Sequence, residues 1–444
     1  MKIVYITAGA AGMYCGSCLL DNALATELLS RGHDVILAPV YTPTLTDEQN
    51  VSQERVFFSG ISIYLEQHLS IFRRTPWVID RIWESPWLLR KFSGRGISPD
   101  PKLLGNLTVS MLNGESGSLK KEFDKLTRWL RSEPAPDIVH LPNCLLIGMA
   151  KPIREALHRP ICCTVQGEDL FIDRLQEPFR QKSIELIRSH IQYVDAFLFP
   201  SQVYAVQMLS LLSIPPHKVF TVPFGINLSS YLEKDPIPSS PFTLGFFARI
   251  APEKGLHVLC EAYSTLRNDG VLPESRLKAG GYLGLEYRSY LNQITAQMRE
   301  WGLGGEFNYV GALGRTEKTR FYQTLDVFAL PATYDEPKGL SALEAMACGV
   351  PVILPRRGTF VEMITKTSGG VLFDPEDLTS LSQAILQLYS DRPLAKQIAA
   401  NGRMGVREHY SISRMAECVL DIYGAVKNRV GPNTQSSSLG RSRP

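Results

Sequence analysis

Short apolar, β-branched runs alternate with longer helical patterns along this chain, and the alternation happens twice. The first set of runs is 3–7, 35–40, 137–141, 161–165 and 196–200; the second is 243–247, 276–279, 307–310, 326–330 and 351–354. Continuous apolar strands separated by helices indicate parallel sheets covered on both faces. Two such sets predict two doubly wound, Rossmann-like α/β domains. The proline-rich stretch Asp235-Pro-Ile-Pro-Ser-Ser-Pro lacks periodicity and marks the break. The expected division is 1–230 and 231–427, with a Ser/Gly/Pro-rich tail, 428–444, expected to be disordered. The last helical pattern, 413–426, is a candidate to pack back on the first domain.

Bulk properties narrow the function. The 444 residues carry a net charge of only +3, which disfavours nucleic acid as a partner. No apolar run is long enough to span a bilayer. The chain opens directly on a strand pattern, Lys2-Ile-Val-Tyr-Ile-Thr7, without a signal-peptide hydrophobic region, so a cytoplasmic address is expected. Eight scattered cysteines fit a reducing compartment.

The loop after the first strand reads Gly9-Ala-Ala-Gly12-Met-Tyr-Cys15-Gly16-Ser-Cys18. Glycine lets backbone approach a ligand at the carboxyl end of a strand, where such sheets bind them. Gly12 and Gly16 are therefore candidate ligand contacts; a tight strand-to-helix turn is an equal alternative. The spacing is not G-x-G-x-x-G and no acid ends the second strand, which points away from a nicotinamide enzyme. Cys15 and Cys18 resemble a redox pair beside a helix start. Nothing else in the chain supports an oxidoreductase, and two buried or half-buried thiols are the preferred reading.

The second half is more specific. Arg249 and Lys254 flank the loop after the first strand of the second set, where two cations suit a diphosphate leaving group. Gly281 and Gly311 end the next two strands and can admit a ligand. The stretch Glu336-Pro-Lys-Gly-Leu-Ser-Ala-Leu-Glu344-Ala-Met-Ala-Cys-Gly-Val-Pro-Val places a helix start between two carboxylates. The N–H groups of Gly339, Leu340 and Ser341 would face an anion there. Glu344 lies on a helix with almost no polar face, so it should have a partner or line a cavity.

R-x4-K-G followed about eighty residues later by E-x7-E-A-M-A-x-G-x-P-V resembles the family 4 retaining glycosyltransferases of the GT-B fold, two such domains facing across a cleft. Arg249, Lys254, Glu336, Glu344 and Gly349 match the motif one for one. Val222-Pro-Phe-Gly-Ile-Asn227, Gly358-Thr-Phe-Val-Glu362 and Arg31-Gly-His-Asp-Val35 are also similar to family segments. The resemblance implies that Arg249 and Lys254 bind the donor diphosphate, Glu336 contacts the donor sugar and Glu344 binds the ribose hydroxyls. Two positions depart from the pattern. Gln166 stands where the family usually has histidine; it can hydrogen-bond a sugar hydroxyl but carries no proton. Lys338 stands where an aromatic precedes the motif glycine.

The implied reaction moves a sugar from a nucleotide diphosphate sugar, expected to be a UDP-sugar, to a glycan or lipid-linked acceptor, with retention. No cofactor beyond the donor is implied. The chain contains no D-x-D, and the basic and helix-terminal groups can replace a metal clamp. Residues 70–92 mix Trp77, Trp83 and Trp87 with Arg73, Arg74, Arg81, Arg90 and Lys91. A lid packed on the first domain is the preferred reading; peripheral contact with the inner face of the membrane is the alternative. Two rival functions share the fold: a nucleotide-sugar epimerase, and a catalytically decayed sugar- or membrane-binding scaffold.

Overall fold

A computed structural model describes residues 1–9, 15–53, 101–231 and 241–430. Gly12, the tryptophan-rich segment 70–92, most of the proline-rich break and the tail beyond residue 430 lie outside the described residues.

The chain forms two compact units, each built on a six-stranded parallel sheet. The first holds β1 (Lys2–Thr7), β2 (Asp34–Pro39), β3 (Ile138–Leu141), β4 (Ile161–Thr164), β5 (Ala196–Phe199) and β6 (Val219–Thr221), in the order β2-β1-β3-β4-β5-β6. The second holds β7 (Phe242–Phe247), β8 (Ser275–Gly280), β9 (Phe307–Tyr309), β10 (Val327–Ala329), β11 (Val352–Pro355) and β12 (Gly370–Phe373), in the order β12-β11-β10-β7-β8-β9. Each sheet reverses its winding once, between β1 and β3 and between β7 and β10. Such reversals open the crevice in which doubly wound sheets bind ligands.

Ten of the twelve described strands coincide with the apolar runs of the sequence. β6 and β12 do not. Both are edge strands, and most of their residues are only half-buried. β6, Val-Phe-Thr, runs into Val222-Pro223, and β12, Gly-Val-Leu-Phe, follows Gly369, so each short apolar stretch is flanked by residues that mark a loop.

The division of the chain is less simple than one cut. The first unit comprises the described residues of Met1–Phe199 and Ala205–Val222, and those from Ala416 onward; the second comprises Pro200–Tyr204 and Pro223–Met415, again as far as described. Residues 223–230, which the sequence division assigns to the first domain, pack with the second. Ile226 N donates to Tyr410 O at 2.9 Å, and Arg315 donates to Asn227 O at 2.6 Å.

The end of the last helix, Ile412–Val430, is held in the first unit by buried polar contacts. His140 on β3 is completely buried. Its Nδ1 meets the Tyr423 hydroxyl at 2.6 Å and its Nε2 meets Thr164 Oγ1 at 2.7 Å. Its ring stacks on Tyr5 at 4.4 Å. Burial holds this imidazole down to about 3, so it is neutral. Lys427 pairs with Asp137 at 2.8 Å at the far end of the helix. Among the described residues, no helix is long and apolar enough to cross a membrane.

None of the eight cysteines is in a disulfide. Cys15 precedes the helix Gly16–Ser30, and Cys18 is buried within its first turn. A helix N-terminus should favour the thiolate, but the Cys18 thiol is pushed up instead. The hydrogen bond with Cys15 is the main cause, and burial adds to it.

Candidate functional site

The second unit gathers most of the sequence candidates at its winding reversal. β7 runs into the loop that carries Arg249, then into a short turn, Pro252–Lys254. Gly255 follows at φ 78°, and a Cβ there would sit 1.8 Å from the Pro331 carbonyl oxygen. Only glycine allows the β7 loop to approach the end of β10 this closely. That approach brings Lys254 to Glu336.

Lys254 Nζ donates to Glu336 Oε2 and to the Tyr334 hydroxyl, and Tyr334 donates to the same carboxylate oxygen. The acid and the lysine are 7% and 15% exposed. Glu336 Oε1 faces the N–H groups of Lys338 at 3.3 Å and Gly339 at 3.5 Å. Burial alone would raise the Glu336 pKa. The Lys254 charge, the hydrogen bonds from Lys254 and Tyr334, and the Lys338 charge override it and bring it down to about 2. The acid is therefore ionised at any physiological pH. Arg249 is held differently: it donates to Glu253 Oε1 at 2.5 Å and lies 5.6 Å from the Tyr287 ring centroid.

Gly339, at φ 62°, turns the chain into the helix Leu340–Ala347; a Cβ there would crowd Met363 and Phe360. Leu340 and Ser341 open that helix, whose first N–H groups have no intrahelical acceptor. Its end is a Schellman turn: Val350 N donates to Ala345 O at 3.0 Å and Gly349 N to Met346 O at 2.9 Å. Glu344, one turn in, has the partner that its apolar helix demands. Lys318 Nζ donates to Oε1 at 2.6 Å and the Tyr322 hydroxyl to Oε2 at 2.9 Å. Both donors come from one face of the helix Arg315–Gln323. Gly281 and Gly311 lie past β8 and β9 and are joined by a hydrogen bond, Gly281 N to Gly311 O, at 2.8 Å.

Sequence reasoning missed Tyr334, Glu253, Lys318 and Tyr322. Lys318 and Tyr322 stand four residues apart on a short helix, a spacing that presents two donors to one acid. Nothing in the local sequence ties them to Glu344, 22 to 26 residues away.

The remaining candidates are in the first unit. Gly16 is the first residue of the helix after the β1 loop. Gln166 lies just past β4, is 3% exposed and donates through Nε2 to Pro142 O at 2.7 Å.

Comparison with known proteins identifies the family and the fold. The profile described as "Glycosyltransferase Family 4" matches residues 111–230, and "Glycosyl transferases group 1" matches residues 230–404. A D-inositol 3-phosphate glycosyltransferase of Stackebrandtia nassauensis is 27% identical over 259 residues, covering 55% of this chain and 57% of the relative. The lipopolysaccharide core biosynthesis mannosyltransferase LpsB of Rhizobium meliloti is 29% identical over 192 residues, 42% of this chain and 52% of its own. The matched stretch thus spans about half the length of these curated relatives. Among solved structures, sucrose-phosphate synthase from Thermosynechococcus elongatus superposes with a TM-score of 0.71 at 17% identity, covering 96% of this chain and 99% of the other. HepE of Anabaena, in complex with UDP, gives 0.68 at 16% identity, covering 96% and 100%. These structures share the two-domain GT-B fold. With two adjoining profiles in this order on that fold, the chain belongs to the family 4 type glycosyltransferases.

Proposed function

We propose that the protein is a retaining glycosyltransferase that moves a sugar from a nucleotide diphosphate sugar, a UDP-sugar first of all, to a glycan or lipid-linked acceptor. The observation that carries this reading is the pair of held carboxylates around the start of Leu340–Ala347: Glu336 tied to Lys254 before the helix, and Glu344 tied to Lys318 within it. HepE, of the same fold, is solved with UDP and with UDP-glucose, which supports the donor class. The acceptor class follows the relatives, one of which builds a lipopolysaccharide core.

In this reading Arg249, Lys254 and the first N–H groups of the helix stabilise the charge that develops on the departing nucleoside diphosphate. Glu253 and Glu336 orient the two cations before the donor arrives. An ammonium has three donors, and Tyr334 and Glu336 engage two of Lys254's, leaving one for a phosphate oxygen. Glu344 offers its remaining lone pairs to ribose hydroxyls while Lys318 and Tyr322 fix its orientation. Glu336 faces the sugar. The basic groups stand in for a metal clamp, so no metal and no cofactor beyond the donor is required.

The test is release of nucleoside diphosphate from a panel of UDP-, GDP- and ADP-sugars, with the anomeric configuration of any product read by NMR and the reaction repeated with a chelator. Turnover of one donor with retention, insensitive to the chelator, is expected. No release from any member of the panel would overturn the assignment.

A further inference from the structure

The loop after β8 is fastened to the loop that carries Arg249. Ala248 N donates to Gly280 O at 3.1 Å and Ile250 N to Tyr282 O at 2.8 Å, so the two loops continue the parallel pairing of β7 with β8 past the strand ends. The chain then makes a short turn, Leu285–Tyr287, and enters the helix Arg288–Glu300. The first turn of that helix reaches the start of another, Leu256–Asn268, which follows Lys254 and Gly255. The Tyr290 hydroxyl accepts from His257 N at 3.2 Å and meets His257 Nδ1 at 2.8 Å. The first N–H groups of a helix have no intrahelical acceptor, and this hydroxyl supplies one.

Tyr287 lies between these two anchors and is half-buried. The Arg249 guanidinium sits over its ring, 5.6 Å from the centroid. A cation within about 6 Å of an aromatic face is attracted to it. The other hold on Arg249 is Glu253 Oε1, 2.5 Å from one terminal nitrogen. An aromatic face holds a cation without neutralising it, and offers no oxygen that competes with a phosphate for the N–H groups. Lys254 is held otherwise, by a carboxylate and a phenol hydroxyl. A long side chain that is already ordered loses less freedom when a ligand binds, so its contact counts for more.

We propose that Tyr287 is a positioning residue for Arg249: its ring, anchored through Tyr290 and the β8 loop, holds the guanidinium in place for a diphosphate. The ring acts through Arg249 and not on the ligand. Its effect is therefore confined to ligands that carry phosphate. The proposal rests on the glycosyltransferase reading only for the diphosphate being part of a nucleotide.

The test compares the full chain with Tyr287→Leu, Tyr287→Phe, Arg249→Met and the double variant Tyr287→Leu/Arg249→Met. Thermal midpoints confirm that each is folded, and Tyr287→Gln replaces the leucine variant where that one does not fold. Calorimetry reads UDP and inorganic pyrophosphate; saturation-transfer NMR reads uridine, which carries no phosphate. Tyr287→Leu should weaken UDP and pyrophosphate by about fivefold or more and leave uridine unchanged. Tyr287→Phe keeps the ring and should retain most of the affinity. In the Arg249→Met background, Tyr287→Leu should add less than about a twofold further loss, because the two residues act as one unit.

Native affinity for UDP and pyrophosphate in Tyr287→Leu overturns the proposal. An equal loss for uridine does the same, since it marks a general distortion of the site. So does a loss in Tyr287→Phe as large as that in Tyr287→Leu, which would show that the ring is not what holds Arg249. An undiminished further loss in the Arg249→Met background would place the ring on the ligand itself and also overturn it. Native protein that binds pyrophosphate but not UDP strikes the glycosyltransferase reading, while the pyrophosphate series still judges Tyr287. Native protein that binds neither overturns both.

Discussion

Lys254 and Glu336 stand 82 residues apart in sequence and form a buried ion pair at the point where the second sheet reverses its winding. Tyr334 closes the pair into a triangle by hydrogen-bonding both. The lysine comes from the loop after β7 and the acid from the loop after β10, so the pair joins the two strands that flank the reversal. A cation placed this way is neutralised until a stronger anion arrives, and the acid is ionised throughout.

Removing one member of this pair should cost more than its contacts suggest. Lys254→Met leaves a buried carboxylate unpaired, and a loss of about 3–5 kcal/mol of stability in urea denaturation is expected. The double variant Lys254→Met/Glu336→Gln should recover part of that loss. A single variant as stable as the native protein would show that the pair is not coupled. Because Glu336 titrates near 2, its contribution is complete above the ordinary glutamate range and is lost as pH falls through about 4.5 toward 2.

Glu344 should govern nucleotide affinity. Glu344→Ala is expected to weaken UDP binding at least tenfold, about 1.4 kcal/mol or more, and to shrink the rise in melting temperature that UDP confers. Lys318→Met should weaken UDP less, because it loosens the orientation of Glu344 without removing the acceptor oxygens. Equal UDP affinity in native protein and Glu344→Ala would exclude the ribose role.

His140 makes the first unit sensitive to mild acid. The imidazole titrates near its ordinary 6.5 when unfolded and near 3 when buried. Its folded pKa is depressed, so the stabilisation is full above pH 6.5 and declines as pH falls from there toward 3. The slope is about 1.4 kcal/mol per pH unit across that window. Calorimetry between pH 7 and 5 should show this loss in the native protein and a flatter profile in His140→Gln.

Gly255 should tolerate no side chain, whereas Gly302 should tolerate one at modest expense. Both have positive φ, 78° and 77°, but a Cβ at 255 meets the Pro331 carbonyl at 1.8 Å while one at 302 meets nothing within 4 Å. Gly302→Ala should cost about 1–2 kcal/mol from backbone strain alone. Gly255→Ala should cost clearly more and disrupt nucleotide binding, since the β7 loop must retreat from β10. Comparable melting temperatures for the two variants would refute the close approach.

Local chemistry alone made the two parallel sheets legible, because a strand covered on both faces is mostly apolar, and ten of the twelve described strands fall on the runs that the sequence marks. It also exposed the acids, since Glu344 on an apolar helix demands a partner. The identity of that partner is a tertiary matter. Lys318 and Tyr322 sit on a helix of ordinary polar composition, and only packing turns them toward Glu344. The same holds for Tyr334 and Glu253, which look like loop residues until the Gly255 approach draws β7 and β10 together. β6 and β12 escaped because each is a short apolar stretch bounded by Pro223 or by Gly369 and Gly370, the punctuation of a loop. The chain's alternation of apolar runs and helices determined what kind of sheets form and where their ligand ends lie. Which residues meet there was decided by the fold, because the contacts that hold Glu336, Glu344 and Gln166 join segments that share no local sequence signal.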